Sequence, residues 1–253
     1  MKLQKTLLAL VMLASTAVTD TAQATLIDNG NGLLYDNVLN VTWLQDANYA
    51  KTSGYSDTGK MDWAAANTWA AQLSFDGLSD WRLATNTPIS GGTSYRFGGV
   101  GGGGGWYDGT TDDGWNIISP NSEMAFMYHV NLGLKDYYST SGYGQSDFGV
   151  FGNGIVGGQA NVGLVHNLQS SLYWSGAESS PGSINAWHFD PNFGSQSSDA
   201  KSAQLYAWAV HPGDVFAVTP VPEPSIVWLL GSGLGLLALT RSWKNKNIQP
   251  QYC

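Results

Sequence analysis

Cysteine is nearly missing from this chain: the one residue, Cys253, stands at the last position. The body therefore has no disulfide, no thiolate metal site and no cysteine nucleophile. Secreted domains of ordinary size do without disulfides when the core is adequate. Basic residues are also scarce. Between Thr25 and Pro220 they are Lys51, Lys60, Arg82, Arg96, Lys135 and Lys201, six against seventeen acids (the nineteen of the chain less Asp20 and Glu223), a net charge of −11. Such a surface repels nucleic acid, anionic lipid and sulfated polysaccharide, and leaves divalent cations and neutral sugars as ligands. Catalytic motifs are lacking too: no G-x-S-x-G elbow and no H-E-x-x-H occurs. The glycine tract 98–105, broken only by Val100, matches G-x-G-x-x-G trivially, and no Lys-Ser or Lys-Thr follows it. It reads as a flexible surface insertion, not a phosphate loop.

What is present begins at the ends. Residues 1–24 have a positive start (Lys2, Lys5), an apolar run Leu7 to Ala14, and a polar stretch ending Ala22-Gln23-Ala24. Small residues at Ala22 and Ala24 fit signal peptidase, which places cleavage before Thr25; a buried N-terminal helix is the alternative. At the other end Val221-Pro222-Glu223-Pro224-Ser225 precedes the apolar run 226–240, and Arg241, Lys244 and Lys246 follow. A run interrupted by Gly231, Gly233 and Gly235 falls below the ~20 residues of a comfortable spanning helix. A transient transmembrane anchor with its basic end in the cytoplasm is the expectation, and a permanent anchor the alternative.

These features resemble the PEP-CTERM sorting signal of Gram-negative bacteria. The resemblance implies an exosortase acting near Pro222, Glu223 and Pro224, release to the cell surface or medium, and an association with exopolysaccharide and biofilm.

The body, residues 25–219, reads as one domain large enough for a real core. Abundant tryptophan argues against disorder. Gly32 to Tyr35 and Val41 to Leu44 flank Asp36-Asn37-Val38-Leu39-Asn40, a hairpin signal. Trp63, Ala66, Ala70 and Leu73 recur at helical spacing, with Asp62 at the start and Gly77 beyond the end. Trp81-Arg82-Leu83 reads as a brief strand. A second helix is predicted from Ser122 to Leu132, with Gly133 as its C-cap residue. Residues 91–114 and 135–166 are long insertions rich in glycine. Strands return at Leu172 to Ser175, Ala186 to Asp190 and Leu205 to Val210, with a turn at Pro191-Asn192-Phe193-Gly194. Two helices with short antiparallel strands and long Gly-rich loops indicate an α+β class.

The ordered pieces Asp28 to Gly32, Asp36-Asn37-Val38, Val41 to Leu44, Met61-Asp62-Trp63, Gly77 to Thr85 (GLSDWRLAT), Ser122-Glu123-Met124, Tyr173-Trp174-Ser175, Ala186-Trp187 and Tyr206 to Asp214 are similar to the DUF1566 family, also called the Lcl C-terminal domain family. That pattern commonly has Pro and Arg where Ala84 and His211 stand here. The architecture also resembles the C-type-lectin-like fold of formylglycine-generating enzymes and some glycan binders. The resemblance implies a single C-type-lectin-like domain, and the redox cysteine pair of the enzymes is missing.

Candidate site residues are few. His188-Phe189-Asp190 puts a base and a carboxylate on one face of a strand, which also describes a polar edge. Asp28, Asn29 and Asn31, and Asp108, Asp112 and Asp113, cluster oxygens with glycine as calcium sites do, and equally as Asx turns do. Trp106, Tyr107 and Trp115 lie in the glycine-rich insertion, where exposed rings suit stacking on sugars. The expectation is a non-enzymatic surface or extracellular-matrix protein that binds a neutral polysaccharide, with calcium as the one candidate cofactor. A secreted hydrolase and a purely structural matrix module are the alternatives.

Overall fold

The computed structural model describes residues 25–98, 105–155 and 157–216. The signal, glycine-tract and sorting-tail assignments at 1–24, 99–104 and 217–253 lie outside the described residues. The chain divides at Val215 into two units, and the fold below is that of the first.

In chain order the elements are β1 (Leu26–Gly30), β2 (Leu33–Asp36), β3 (Val41–Leu44), α1 (Tyr49–Thr52), β4 (Lys60–Met61), α2 (Trp63–Gln72), β5 (Arg82–Leu83), α3 (Glu123–Phe126), β6 (Gln159–Val162), β7 (Val165–Gln169), β8 (Tyr173–Glu178), β9 (Asn185–Asp190), β10 (Ser195–Ala200), β11 (Leu205–Tyr206) and β12 (Ala209–Pro212). They form one sheet of order β1-β2-β3-β12-β5, a second of order β10-β9-β8-β11-β4, and the separate hairpin β6-β7. The class is α+β.

Local chemistry explains the sequence-legible parts. Asp36 closes the β2–β3 hairpin by accepting from the N–H groups of Val38 and Leu39, both at 2.9 Å, the Asx-turn use of aspartate. Asp62 caps α2 by accepting from Ala65 N at 2.8 Å, satisfying one of the orphan donors of the first turn. Ala66, Trp69 and Ala70 are the buried face of that helix. Gly77 does not cap α2. With Asp76 it forms a tight turn between Phe75 and Leu78, both central residues at positive φ (51° and 78°), the geometry that Asp-Gly favours.

Two expected elements are altered. The second helix is a short α3 continued by a π-helical turn, Met127–Asn131; Leu132 N reaches back to Met127 O at 3.0 Å, and Gly133 follows at φ 63°. The run Leu205 to Val210 is two strands in different sheets, β11 beside β8 and β12 between β3 and β5. At the crossing, the fully buried Trp208 packs 4.7 Å from the Trp43 ring and 6.2 Å from Tyr173. Its Nε1 donates to Leu44 O at 2.7 Å. One indole thus joins both sheets while its polar tip stays satisfied.

The WRL segment is tied to the second helix. Arg82 donates two 2.7 Å hydrogen bonds to the Glu123 carboxylate, which also accepts from Thr85 N at 2.8 Å. The fork-to-fork geometry of arginine and carboxylate fixes orientation as well as distance.

Candidate functional site

The glycine-rich insertion is less free than its composition suggests. Gly114 pairs with Gln196 of β10 through reciprocal backbone bonds of 2.8 and 2.9 Å. A Cβ on Gly114 would lie 2.2 Å from Trp106 O, so the two segments approach as only glycine allows. Trp106 and Trp115 are both half-buried, joined by Trp115 N donating to Trp106 O at 3.0 Å. Trp115 and Tyr107 meet at Tyr138, with centroids 4.9 and 5.0 Å away. Tyr137, Phe148 and Phe193 extend the same cluster. Tyr107 and Trp115 are therefore brought together, but inside an aromatic packing layer between the two insertions.

Below this layer lies a buried pair that sequence reading missed. His129 and Asp136, their side chains 7% and 0% exposed, contact one another through Nε2 and Oδ1. The other ring nitrogen, Nδ1, lies 2.8 Å from Ile117 O and 2.9 Å from Ala125 O. Two carbonyls accept only, so Nδ1 carries a proton, and the Nε2–Oδ1 contact holds one more. Asp136 also accepts from Asn116 N. Burial pushes the Asp136 carboxyl above its ordinary pKa, with His129 acting in the opposite sense. Both imidazole nitrogens are spent on this frame, which leaves neither to activate a nucleophile.

His188 and Asp190 share a face of β9 but are not bonded as base and orienting carboxylate. Asp190 accepts from Asn192 N at 3.0 Å in the following turn. His188 is 8% exposed, and its Nδ1 has no partner among the described residues. Burial lowers His188 to about 4 and raises Asp190 to about 6. The signs oppose. His188 contributes stability above its ordinary value that is lost as pH falls through about 4, and Asp190 contributes stability at low pH that is lost as pH rises through about 6. His188→Gln removes the first effect alone. Its stability relative to the parent should therefore improve by about 3 kcal/mol between pH 7.5 and pH 3. Urea unfolding across that range reads the difference, and a pH-independent offset would contradict it.

The acidic loops do not converge. Asp28 accepts from Gly30 N at 2.8 Å, Asn29 donates to Asp214 at 2.8 Å, and Asn31 donates to Asp76 at 3.0 Å. Asp108 accepts from the Thr110 N–H and hydroxyl. Asp112 and Asp113 accept from backbone N–H groups of the segment 89–98. Among the described residues no group of three or more His, Cys, Asp or Glu is placed to hold a metal. Each of these side chains is engaged in hydrogen bonds of its own, Asp112 and Asp113 both to the 89–98 loop.

A concavity among the described residues lies elsewhere. A cleft of about 570 Å³ opens between Pro88, Thr93, Ser94, Tyr95, Phe97 and the β8–β9 turn, Glu178 to Pro181. Its aromatic wall has a rigid base: the Phe97 ring, in a residue 58% exposed, stacks on the buried Trp187 at 5.4 Å and 13°. Tyr95 packs on the same indole at 4.9 Å and donates its hydroxyl to Asn86 O at 2.8 Å. Tyr95 and Phe97 thus both pack on the one indole of Trp187. On the far wall Glu178 binds Lys201 and accepts from Gly182 N. The Lys201 contact, then the Gly182 bond, hold its carboxyl below the ordinary range. The cleft thus offers an aromatic platform, serine hydroxyls at 94, 179 and 180, and a carboxylate already paired. The sequence signal for it is Tyr95-Arg96-Phe97, two aromatics one residue apart beside the glycine tract.

No family model, no curated protein and no solved structure matches this chain.

Proposed function

We propose that this chain is an exported, non-enzymatic surface or matrix module that holds a neutral polysaccharide in the cleft between Tyr95, Phe97 and the Glu178–Pro181 turn. In this reading residues 1–24 are a signal peptide, 25–219 a C-type-lectin-like domain of the DUF1566 type, and 220–253 a PEP-CTERM tail cut by an exosortase. The observation that carries the binding function is the half-exposed Phe97 ring supported by Trp187 at the mouth of the cleft. Its volume is within the ~300–1,000 Å³ of small-ligand sites. An apolar ring face ringed by hydroxyls suits the alternating apolar and polar faces of a sugar.

Charge narrows the ligand. Among the described residues the lining contains no Lys or Arg, and the −11 body disfavours anionic polymers at long range. Hydrolysis is disfavoured on different grounds. Glycoside cleavage uses two carboxylates, one held protonated, and among the described residues Glu178 is the one carboxylate of the lining, kept toward its ionised form by Lys201.

Secreted material tests both halves. Its intact mass should begin at Thr25 and lack the segment after Pro224; a mass retaining 226–253 would reject the sorting reading. On an array of neutral and anionic glycans, binding should be confined to neutral ones and survive a chelator. Phe97→Ala should weaken it about tenfold. Unchanged binding by Phe97→Ala would reject the cleft.

A further inference from the structure

We infer that Asp112 and Asp113 are positioning residues for the cleft, two adjacent buried carboxylates that clamp the loop carrying Tyr95 and Phe97. Asp112 accepts from Ile89 N through Oδ1 at 2.8 Å and from Arg96 N through Oδ2 at 2.7 Å. Asp113 accepts from Gly98 N through Oδ1. The three donors bracket the loop at its start, beside Tyr95, and just after Phe97. The backbone closes the same clamp, Asp112 N donating to Arg96 O at 2.8 Å.

The holding side is anchored to regular structure. Gly114 adds to the β10 edge opposite Gln196, and the Gln196 amide donates to Asp112 O at 2.6 Å. The loop side is otherwise short of partners in its own sequence: residues 91–94 are exposed and contain Gly91, Gly92 and Ser94. A glycine-containing loop with two aromatics would sample many conformations, and bonds from its N–H groups to carboxylates are stronger than neutral ones. The clamp therefore prepays part of the ordering that a ligand would otherwise impose.

The two acids differ in a testable way. Asp112 uses both oxygens as acceptors, so Asp112→Asn necessarily turns an NH₂ toward one of two N–H donors. Asp113 uses one oxygen for the loop, so Asp113→Asn retains its acceptor whereas Asp113→Ala removes it. The consequence for binding rests on the cleft reading; the clamp itself does not.

Amide hydrogen exchange on the secreted protein reads the clamp without any ligand. Asp112→Asn should accelerate exchange at Ile89 or Arg96 about tenfold or more, while amides of β8 and β9 stay as in the parent. Asp113→Ala should do so at Gly98, and Asp113→Asn should restore protection. Should Asp112→Asn fail to fold, the Asp113 pair decides alone. Unchanged exchange in Asp112→Asn, or equal exchange in Asp113→Ala and Asp113→Asn, would overturn the clamp. In parallel, mannohexaose, cellohexaose and chitohexaose are titrated into parent, Asp112→Asn and Phe97→Ala. An oligosaccharide bound by the parent should be bound about tenfold more weakly by both variants. Loss in Phe97→Ala with full retention in Asp112→Asn would reject the positioning role and keep the cleft. Absence of binding by the parent, with exchange responding as stated, would reject the cleft reading and keep the clamp.

Discussion

Asp136→Ala is expected to destabilise the domain by about 3–5 kcal/mol, the scale found when one partner of a buried ionic pair is removed. The side chain is fully buried, and one carboxylate serves both His129 Nε2 and Asn116 N. Alanine strands both, and neither can turn to water: His129 is held at its other nitrogen by the carbonyls of Ile117 and Ala125. Asn116 stands at φ 58° with its side-chain amide donating to Tyr107 O and Tyr138 O. The loss therefore spreads into the aromatic layer of Tyr107, Trp115 and Tyr138. With typical domain stabilities of ~5–15 kcal/mol, a loss of this size brings the variant near the folding threshold. Urea unfolding of parent and variant at neutral pH measures it. A difference below about 1 kcal/mol would show that the pair is not the frame described here.

Gly194→Ala is expected to cost about 3 kcal/mol, for two reasons that act together. Gly194 adopts φ +85°, where a side chain is strained. A Cβ there would also sit 1.9 Å from Asp136 Oδ1 and 2.9 Å from Asp136 Cα. The β9–β10 turn thus lies directly on the carboxylate, its N–H bonded to Asp190 O at 2.6 Å. Because the two substitutions share one contact, they should not add. The double variant Asp136→Ala, Gly194→Ala should be more stable than the sum of the single losses implies, by about 1 kcal/mol or more. Strict additivity in the double-mutant cycle would contradict the contact.

The parts of this fold that were legible in the sequence carry their determinants locally. Asp36 closes its own hairpin and Asp62 caps its own helix, so turn and cap chemistry found both. The Arg82–Glu123 fork is a different case: the order of the two segments was visible, but the bidentate pairing is a tertiary fact. Strand β10, Ser195–Ala200, has no apolar alternation; it is a strand because it pairs along its whole length with β9. The change of sheet at Ala207 and Trp208 was hidden by the unbroken run around it.

The candidate site was less legible for the same reason. Trp106, Tyr107 and Trp115 stand out as aromatics among glycines, yet Tyr107 and Trp115 pack on Tyr138, and Trp115 also on Phe193, which come from later segments. The cleft joins Tyr95 and Phe97 to a turn of β8–β9 that sequence proximity does not reveal. The acidic pair Asp112 and Asp113 has the composition of a cation site, and only the positions of Ile89, Arg96 and Gly98 show which donors it serves.

Chemical-shift mapping of the secreted domain with a neutral oligosaccharide chosen from the array tests the central claim most directly. Perturbed amides should cluster at Thr93 to Phe97 and Glu178 to Pro181, with the indole N–H of Trp187 moving as the ring above it is covered. Perturbations centred on Trp106, Tyr107 and Trp115 with the cleft silent, or none at saturating concentrations of any neutral sugar, would contradict it.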